Sequence, residues 1–147
     1  MELLVAIAIT GMISGVLGSA VFQFSQVTQR GQGSFEAIHD AQLVGYWVTL
    51  DGRSAQTTNL VDGAPEVQTM TLTWVDTGQT HTVTYSLSGT ELERNHNGTV
   101  KTVGRNVTSV GFARIGDVVT TNLDYSSGGR WPVSKESTYK ICLRPTG

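Results

Sequence analysis

Cysteine is nearly missing from this chain: it occurs once in 147 residues, as Cys142. A single cysteine excludes a disulfide within the sequence and any metal site built from several thiolates. The three histidines, His39, His81 and His96, show no HxH or HExxH spacing of the kind that holds zinc. The sequence therefore predicts no metal site and no cofactor. It favours a small buried environment for Cys142, with partial exposure on the side of Lys140 as the alternative.

Charge is scarce as well. Charged residues make up 15% of the chain, and 10 Lys and Arg against 12 Asp and Glu leave a net charge of −2. No basic field is present to hold a nucleic-acid backbone, so we expect no nucleic-acid partner. The GxSxG, Walker and GxGxxG patterns are absent too, and no other constellation typical of catalysis takes their place. The sequence therefore predicts a protein that is not an enzyme.

The absence of charge is most pronounced at the start, where no charged residue lies between Glu2 and Arg30. As a helix, the apolar run Leu3–Phe22 would extend roughly 30 Å, which matches the hydrocarbon layer of a bilayer. A secretory signal peptide would begin with basic residues, so a cleaved signal is not favoured. A domain of this size cannot enclose a helix that is apolar on all sides. Lipid or other protein chains must therefore cover residues 1–28, and residues 29–147 form the globular part.

The chain after this run has apolar residues at helical spacing, and we predict one long helix from about Leu3 to about Ala55. The pair Gly31 and Gly33 predicts a bend or a locally unwound turn, because each glycine costs about 1 kcal/mol of helix stability. The residues predicted to face the rest of the fold from the second half of this helix are Phe35, Ile38, Leu43, Tyr46, Trp47 and Leu50.

Beyond Gly63 the apolar period changes to two, which is typical of half-buried strands. The alternating segments are QTMTLTWVD, THTVTYSLSG, a short one around Leu92, 107–115, 118–125 and the final TYKICLRP. Turns are predicted at Gly78 and at Gly116. Because a sheet with one apolar face needs a cover, the second half of the helix must pack on it. The fold class is α+β: a long N-terminal helix whose C-terminal half packs under one antiparallel meander. Tyr46 and Trp47 are expected to meet Trp74 and Tyr85 in the core between them.

Two features of the apolar run point to contact with other chains. A carboxylate next to hydrocarbon, here Glu2, is costly and usually faces a partner of opposite charge. Gly11 and Gly15 form a GxxxG, and Ser14 with Gly18 forms a second pair of small residues, which lets two helix backbones approach closely. The alternative is a lone membrane anchor with Glu2 in the headgroup layer.

The segment MELLVAIAIT resembles the start of mature type IV pilins and of type II secretion pseudopilins, in which a signature glutamate precedes an apolar run. Glu2 falls on that glutamate. The later segments HDAQLVGYW, YSLSGTELERNHNG and NVTSVGFARIGD resemble J-type minor pseudopilins and related minor pilins less closely. The family's layout, a long N-terminal helix half covered by an antiparallel sheet, agrees with the patterning above.

The resemblance implies a structural subunit that is held in the cytoplasmic membrane by its N-terminal helix and then polymerised by an assembly platform into an extracellular pilus. It also implies processing by a prepilin peptidase and N-terminal methylation, with lipid as the partner before assembly and other pilin subunits afterwards. Glu2 would pair with the terminal amine of a neighbouring subunit and set the axial register. The expected assembly residues are Glu2, Leu3, Leu4, Val5, Ile7, Ile9, Gly11, Gly15 and Gly18.

Three alternatives stay open at this point. The filament could be the periplasmic pseudopilus of type II secretion, with this chain as a minor pseudopilin. From another class, the chain could be a monomeric binding domain tethered to the membrane by the same helix. A secreted enzyme is the third and has the least support from the sequence. Asn97 and Asn106 each begin an Asn-x-Thr triplet and are possible glycosylation sites.

Overall fold

The structure, a computed structural model, describes residues 2–126, 132 and 134–144; within its helix it describes the side chains of residues 3, 5–28 and 38–54. A single helix, α1, spans Glu2–Ser54 and is about 80 Å long at ~1.5 Å per residue. The predicted long helix is therefore confirmed to within one residue at each end. Its helical backbone runs through Gly31 and Gly33 without interruption, so the predicted unwound turn is not observed.

The described chain after α1 forms two antiparallel sheets. The strands are β1 Thr57–Thr58, β2 Thr69–Asp76, β3 Gln79–Ser88, β4 Glu91–His96, β5 Thr99–Gly104, β6 Val107–Ile115, β7 Val118–Ser126 and β8 Ser134–Cys142. The first five lie side by side in chain order, and the last three form the second sheet. The α+β class, with one N-terminal helix and antiparallel sheet, is confirmed.

The prediction of one continuous meander is wrong, because hydrogen bonding stops between β5 and β6. β5 ends at Gly104, where an added Cβ would lie only 2.6 Å from Val44 Cγ2. The end of this strand therefore packs directly against α1. Asn106 then adopts a positive φ of 56° and turns the chain away. β6 instead lies beside the segment before β2, and Val67 and Phe112 exchange two backbone hydrogen bonds of 3.0 and 2.8 Å.

The hairpin of β4 and β5 was not predicted, although Asn97 and Gly98 connect the two strands. Both residues have positive φ, 50° and 91°, which is the conformation that a two-residue turn of this type requires. The turn at Gly78 and the one at Gly116 were predicted and are confirmed, with φ of 82° and 60°.

The buried face of α1 differs from the predicted one. Small and β-branched residues face the sheets, namely Ala41, Val44 and Val48, and Ala55 is buried just past the end of the helix. The larger residues point away, and Tyr46 is 59% exposed. The predicted buried face is therefore wrong for Ile38, Leu43, Tyr46 and Leu50, which are exposed. Trp47 is partly buried against the core. The Phe35 side chain lies outside the described residues.

The reason is the close approach of α1 to β8. Gly45 lies against the ring of Tyr139, where a Cβ would be 2.8 Å from Cζ. Gly52, one heptad later, lies against Ile141, where a Cβ would be 3.2 Å from the Ile141 Cβ. The Tyr139 hydroxyl donates a hydrogen bond of 2.6 Å to the Ala41 carbonyl. Only a face of small residues permits this contact, so the bulky residues are left on the solvent side.

Candidate functional site

None of the described residues outside α1 covers the first half of this helix. Val5–Thr28 is long and apolar enough to cross a membrane, with a mean hydropathy of 2.0, and none of it is buried. Among its large apolar side chains the least exposed is Ile9, at 52%. The helix therefore has two parts: an apolar projecting segment, Val5–Thr28, and a packed upper half that begins near Ala41.

The predicted assembly residues lie on this projecting part. Leu3, Val5, Ile7 and Ile9 are exposed, whereas the backbones of Glu2 and Leu4 belong to α1 but their side chains lie outside the described residues. A Cβ placed on Gly11, Gly15 or Gly18 would find no atom within 4 Å. The small residues thus form an open stripe on the helix surface.

This stripe continues a shallow apolar groove of about 400 Å³ on the same helix. Its lining residues recur every three or four positions, which places them on one face, and they are Leu3, Ala6, Ile7, Thr10, Gly11 and Ser14. A second helix can pack along such a face, because the missing side chains at the glycines allow the two backbones to come close.

A second cluster of interest is buried where α1 crosses the first sheet; we call Asp51, Arg94 and Tyr85 the Asp51 cluster. Arg94 donates two hydrogen bonds to the Asp51 carboxylate, from Nε to Oδ2 and from Nη2 to Oδ1, each 2.7 Å long. The Tyr85 hydroxyl donates to the same Oδ2. Asp51 is 3% and Arg94 9% exposed. The cluster joins α1 to β3 and β4 through a bidentate ion pair in a fixed geometry.

The Asp51 cluster is extended by Trp47, one helical turn earlier. The Arg94 guanidinium lies 4.8 Å and the Lys101 ammonium 4.9 Å from the centroid of the Trp47 ring. Arg94 and Lys101 are directly opposite each other on β4 and β5. The Trp47 ring thus attracts two neighbouring cations, while Asp51 neutralises one of them.

Burial controls the protonation of the tyrosines here. Burial raises the pKa of the Tyr85 hydroxyl far above its ordinary value of 10.0, and the Asp51 charge raises it further. Burial also raises the pKa of Tyr125 strongly and that of Tyr139 to a smaller extent. The hydrogen bond to Asp51 raises the pKa of Arg94, so the ion pair keeps its charge.

These shifts predict a loss of stability in alkali. Because folding raises the pKa of Tyr85 and Tyr125, the unfolded chain releases their protons first, near pH ~10. Stability is therefore retained below that pH and falls above it, by up to about 1.4 kcal/mol per pH unit for each of these two residues. We expect urea unfolding at pH 8 to 11 to show the decline. Tyrosinate absorbance of the buried tyrosines should rise only with unfolding; a rise in the still folded protein would contradict their burial.

The two histidines His81 and His96 are also brought together, with Trp74 beside them. The ring centroids of the three side chains lie 5.3 to 5.9 Å apart and the planes are nearly parallel. The spacing of the histidines in the sequence did not indicate this contact. Within the described residues no group of three or more metal-ligating side chains occurs.

The remaining predicted residues lie on the surface of the sheets. Asn97 is exposed, and its side-chain oxygen accepts a hydrogen bond of 2.8 Å from the Thr82 amide; Asn106 is half-buried. Their glycosylation stays a prediction. Cys142 is exposed, not buried as favoured, because it alternates on β8 with the buried Ile141 and Leu143.

The Asp51 cluster was not predicted from the sequence. A signal was present: Asp51 continues the helical series of Ala41, Val44 and Val48, so a charged residue stands at a position of the buried face. The partner on β4 could not be found in this way, because the pairing depends on where the helix crosses the sheet.

Comparison of the chain with protein-family models, with curated proteins and with solved structures finds no match.

Proposed function

We propose that this chain is the structural subunit of a type IV pilus or a pilus-like filament, in which the first half of α1 forms the core. One observation carries the proposal: Val5–Thr28 extends from the fold as an apolar helix, and no part of the chain that the structure describes covers it. The segment is held in the cytoplasmic membrane before assembly and is surrounded by other subunits afterwards. The proposal assigns the chain no catalytic chemistry.

The apolar character of the segment suits both environments, since lipid and packed helices are equally apolar. Close packing between copies uses the open stripe at Gly11, Gly15 and Gly18, where a Cβ meets no neighbour within the chain. Glu2 is the one charge before Arg30 in the sequence. In a filament core it pairs with the terminal amine of the adjacent subunit, and an unpaired charge there disfavours every other register.

The test is the substitution Glu2→Leu in the full-length chain, expressed with its own assembly system. We expect the filament fraction sheared from cells to fall about tenfold or more, since ~1.4 kcal/mol of lost pairing already corresponds to tenfold. The amount of subunit in the membrane fraction should stay the same or rise, because the substitution removes a charge from an apolar segment. Unchanged filaments with Glu2→Leu would rule out the role of this residue in register.

A matched pair of substitutions tests the packing face. Gly15→Leu fills the open stripe, whereas Ala20→Leu places the same side chain on the opposite face of α1, because successive residues are about 100° apart around a helix. Both residues are exposed, so neither change affects the folding of the globular part. We expect Gly15→Leu to reduce filaments more than Ala20→Leu; equal effects would argue against a specific contact at the glycines.

These measurements also separate the rival functions. A monomeric tethered domain tolerates Glu2→Leu and forms no filament with the wild-type chain. A minor pseudopilin of type II secretion gives the same Glu2 dependence, but the protein is recovered with a periplasmic secretion complex and not with surface fibres.

A further inference from the structure

We propose that a polar cavity at the upper end of the fold binds an acidic sugar, such as a uronate unit of a glycan. The cavity measures about 500 Å³ and lies just beyond the end of α1. This end of the helix is about 40 Å from Thr28, the last residue of the apolar segment, at ~1.5 Å per residue. The inference does not depend on filament formation, because a tethered monomer has the same cavity.

Three segments that are distant in sequence form the cavity walls: Gln56–Thr58 after α1, 114–117 around the turn between β6 and β7, and 143–144 after β8. Backbone hydrogen bonds hold these segments together. The Arg144 amide donates to the Ala55 carbonyl at 2.8 Å, and the Leu143 amide donates to the Asp117 carbonyl at 2.9 Å. The cavity is therefore formed before any ligand arrives, which lowers the entropic cost of binding.

Two arginines supply the positive charge. Arg114 donates one hydrogen bond, from Nε to the Gly116 carbonyl at 2.7 Å. Among the described residues neither Arg114 nor Arg144 takes part in an ion pair within 4.0 Å, and Asp117 also lines the cavity. Most guanidinium donors are thus available, and the planar guanidinium matches the two oxygens of a carboxylate.

The C-terminal end of α1 carries a partial negative charge that repels an anion bound in the cavity, but this charge is only about half an elementary charge. The Arg144 amide already binds the carbonyl of Ala55, just past the helix end. The two arginines and the one aspartate leave the lining with a single net positive charge, which suits a ligand with a single negative charge.

The other lining groups indicate a ligand rich in hydroxyls. The Asp117 carboxylate can accept hydrogen bonds but cannot donate them, so it requires donors on the ligand. The Thr58 hydroxyl accepts a hydrogen bond of 3.3 Å from the Leu60 amide, which leaves its own proton to donate. Thr57 and Gln56 add further polar groups. A bare oxyanion would use the arginines alone, whereas a uronate uses the arginines through its carboxylate and the other groups through its hydroxyls.

The experiment is a titration of the isotope-labelled full chain in detergent micelles, followed by amide chemical shifts. The probes are glucuronate, glucose and inorganic phosphate. We expect glucuronate to shift the amides of Thr57, Thr58, Asp117 and Arg144. Glucose, which has a hydroxymethyl group in place of the carboxylate, should bind at least about tenfold more weakly, because it offers the guanidinium donors no charged acceptor. Phosphate should also bind more weakly than glucuronate.

Two substitutions locate the binding. Arg144→Gln removes an exposed side chain and should reduce glucuronate affinity about tenfold, the effect of losing a charge-assisted contact. Arg105→Gln, which removes another exposed cation that does not line the cavity, should leave the affinity unchanged. The proposal fails if glucuronate causes no shifts, if phosphate binds as tightly, or if Arg144→Gln retains wild-type affinity. Each of these results leaves the filament proposal untouched, because that proposal is tested by the sheared fraction of Glu2 variants.

Discussion

Replacing Asp51 with alanine is expected to reduce the free energy of unfolding by about 3–5 kcal/mol, the usual effect of removing one partner of a buried ion pair. The substitution leaves the Arg94 guanidinium buried under α1 without a counter-charge, and the Tyr85 hydroxyl loses its acceptor. Because both partners lie on the first sheet, the upper half of α1 loses its polar attachment to that sheet. Urea unfolding followed by circular dichroism measures the change.

The control for this prediction is an exposed ion pair in the same protein. Arg105 and Glu91 approach to 3.9 Å on the surface, so Glu91→Ala should change the free energy of unfolding by less than about 1 kcal/mol. The triple variant Asp51→Leu, Arg94→Met and Tyr85→Phe removes both charges and the hydroxyl together and should regain most of the stability lost in Asp51→Ala, because no buried polar group of the cluster is then left unpaired. If Asp51→Ala unfolds at the same urea concentration as Glu91→Ala, the Asp51 cluster does not hold the helix.

The second large effect is expected at Gly45, which packs against Tyr139. Gly45→Ala should destabilise the protein by about 1–3 kcal/mol through overpacking, although alanine favours a helix by about 1 kcal/mol over glycine. The added Cβ would lie 2.8 Å from Cζ of a rigid ring, and the Tyr139 hydroxyl is held by the Ala41 carbonyl. The ring therefore cannot move without losing that hydrogen bond. Thermal and urea unfolding measure the change.

Gly18→Ala is the matched control, since a Cβ on Gly18 meets no atom within 4 Å. There the helix propensity of alanine acts alone, so this variant should be at least as stable as wild type. Gly52→Ala should lie between the two, because its nearest obstacle is the flexible end of the Ile141 side chain. A Gly45→Ala protein that is as stable as Gly18→Ala would contradict the close contact of α1 and β8.

The helix and most strands were predictable from local pattern. The apolar run from Leu3 cannot fold back into so small a domain, so its projection from the globular part follows from composition alone. The alternating residues of β2 and β3 placed those strands with their buried sides correctly assigned, whereas β7 was predicted by its position alone. The hairpin at Asn97 and Gly98 could also have been predicted from the sequence, since the Asn-Gly dipeptide is a strong signal for a two-residue turn.

The packing of α1 was not predictable in the same way. Its larger apolar residues suggested one buried face, yet Ala41 and Gly45 face β8 while Tyr46 is exposed. A hydrophobicity pattern assigns the largest apolar residues to the buried face. Where a helix and a strand approach closely, however, only the smallest residues fit between them. The pattern therefore indicated a packed helix but assigned the wrong side of it.

Local sequence thus accounts for the long helix and its apolar first half, because a helix depends on neighbours three or four residues away. It also accounts for the antiparallel strands, because these depend on alternate positions. The division into two sheets, the pairing of Asp51 with Arg94 and the cavity between Arg114 and Arg144 depend on contacts between distant segments. No spacing within one segment encodes such contacts. These contacts form when α1 packs against the sheets, at the short distance that Gly45, Gly52 and Gly104 permit.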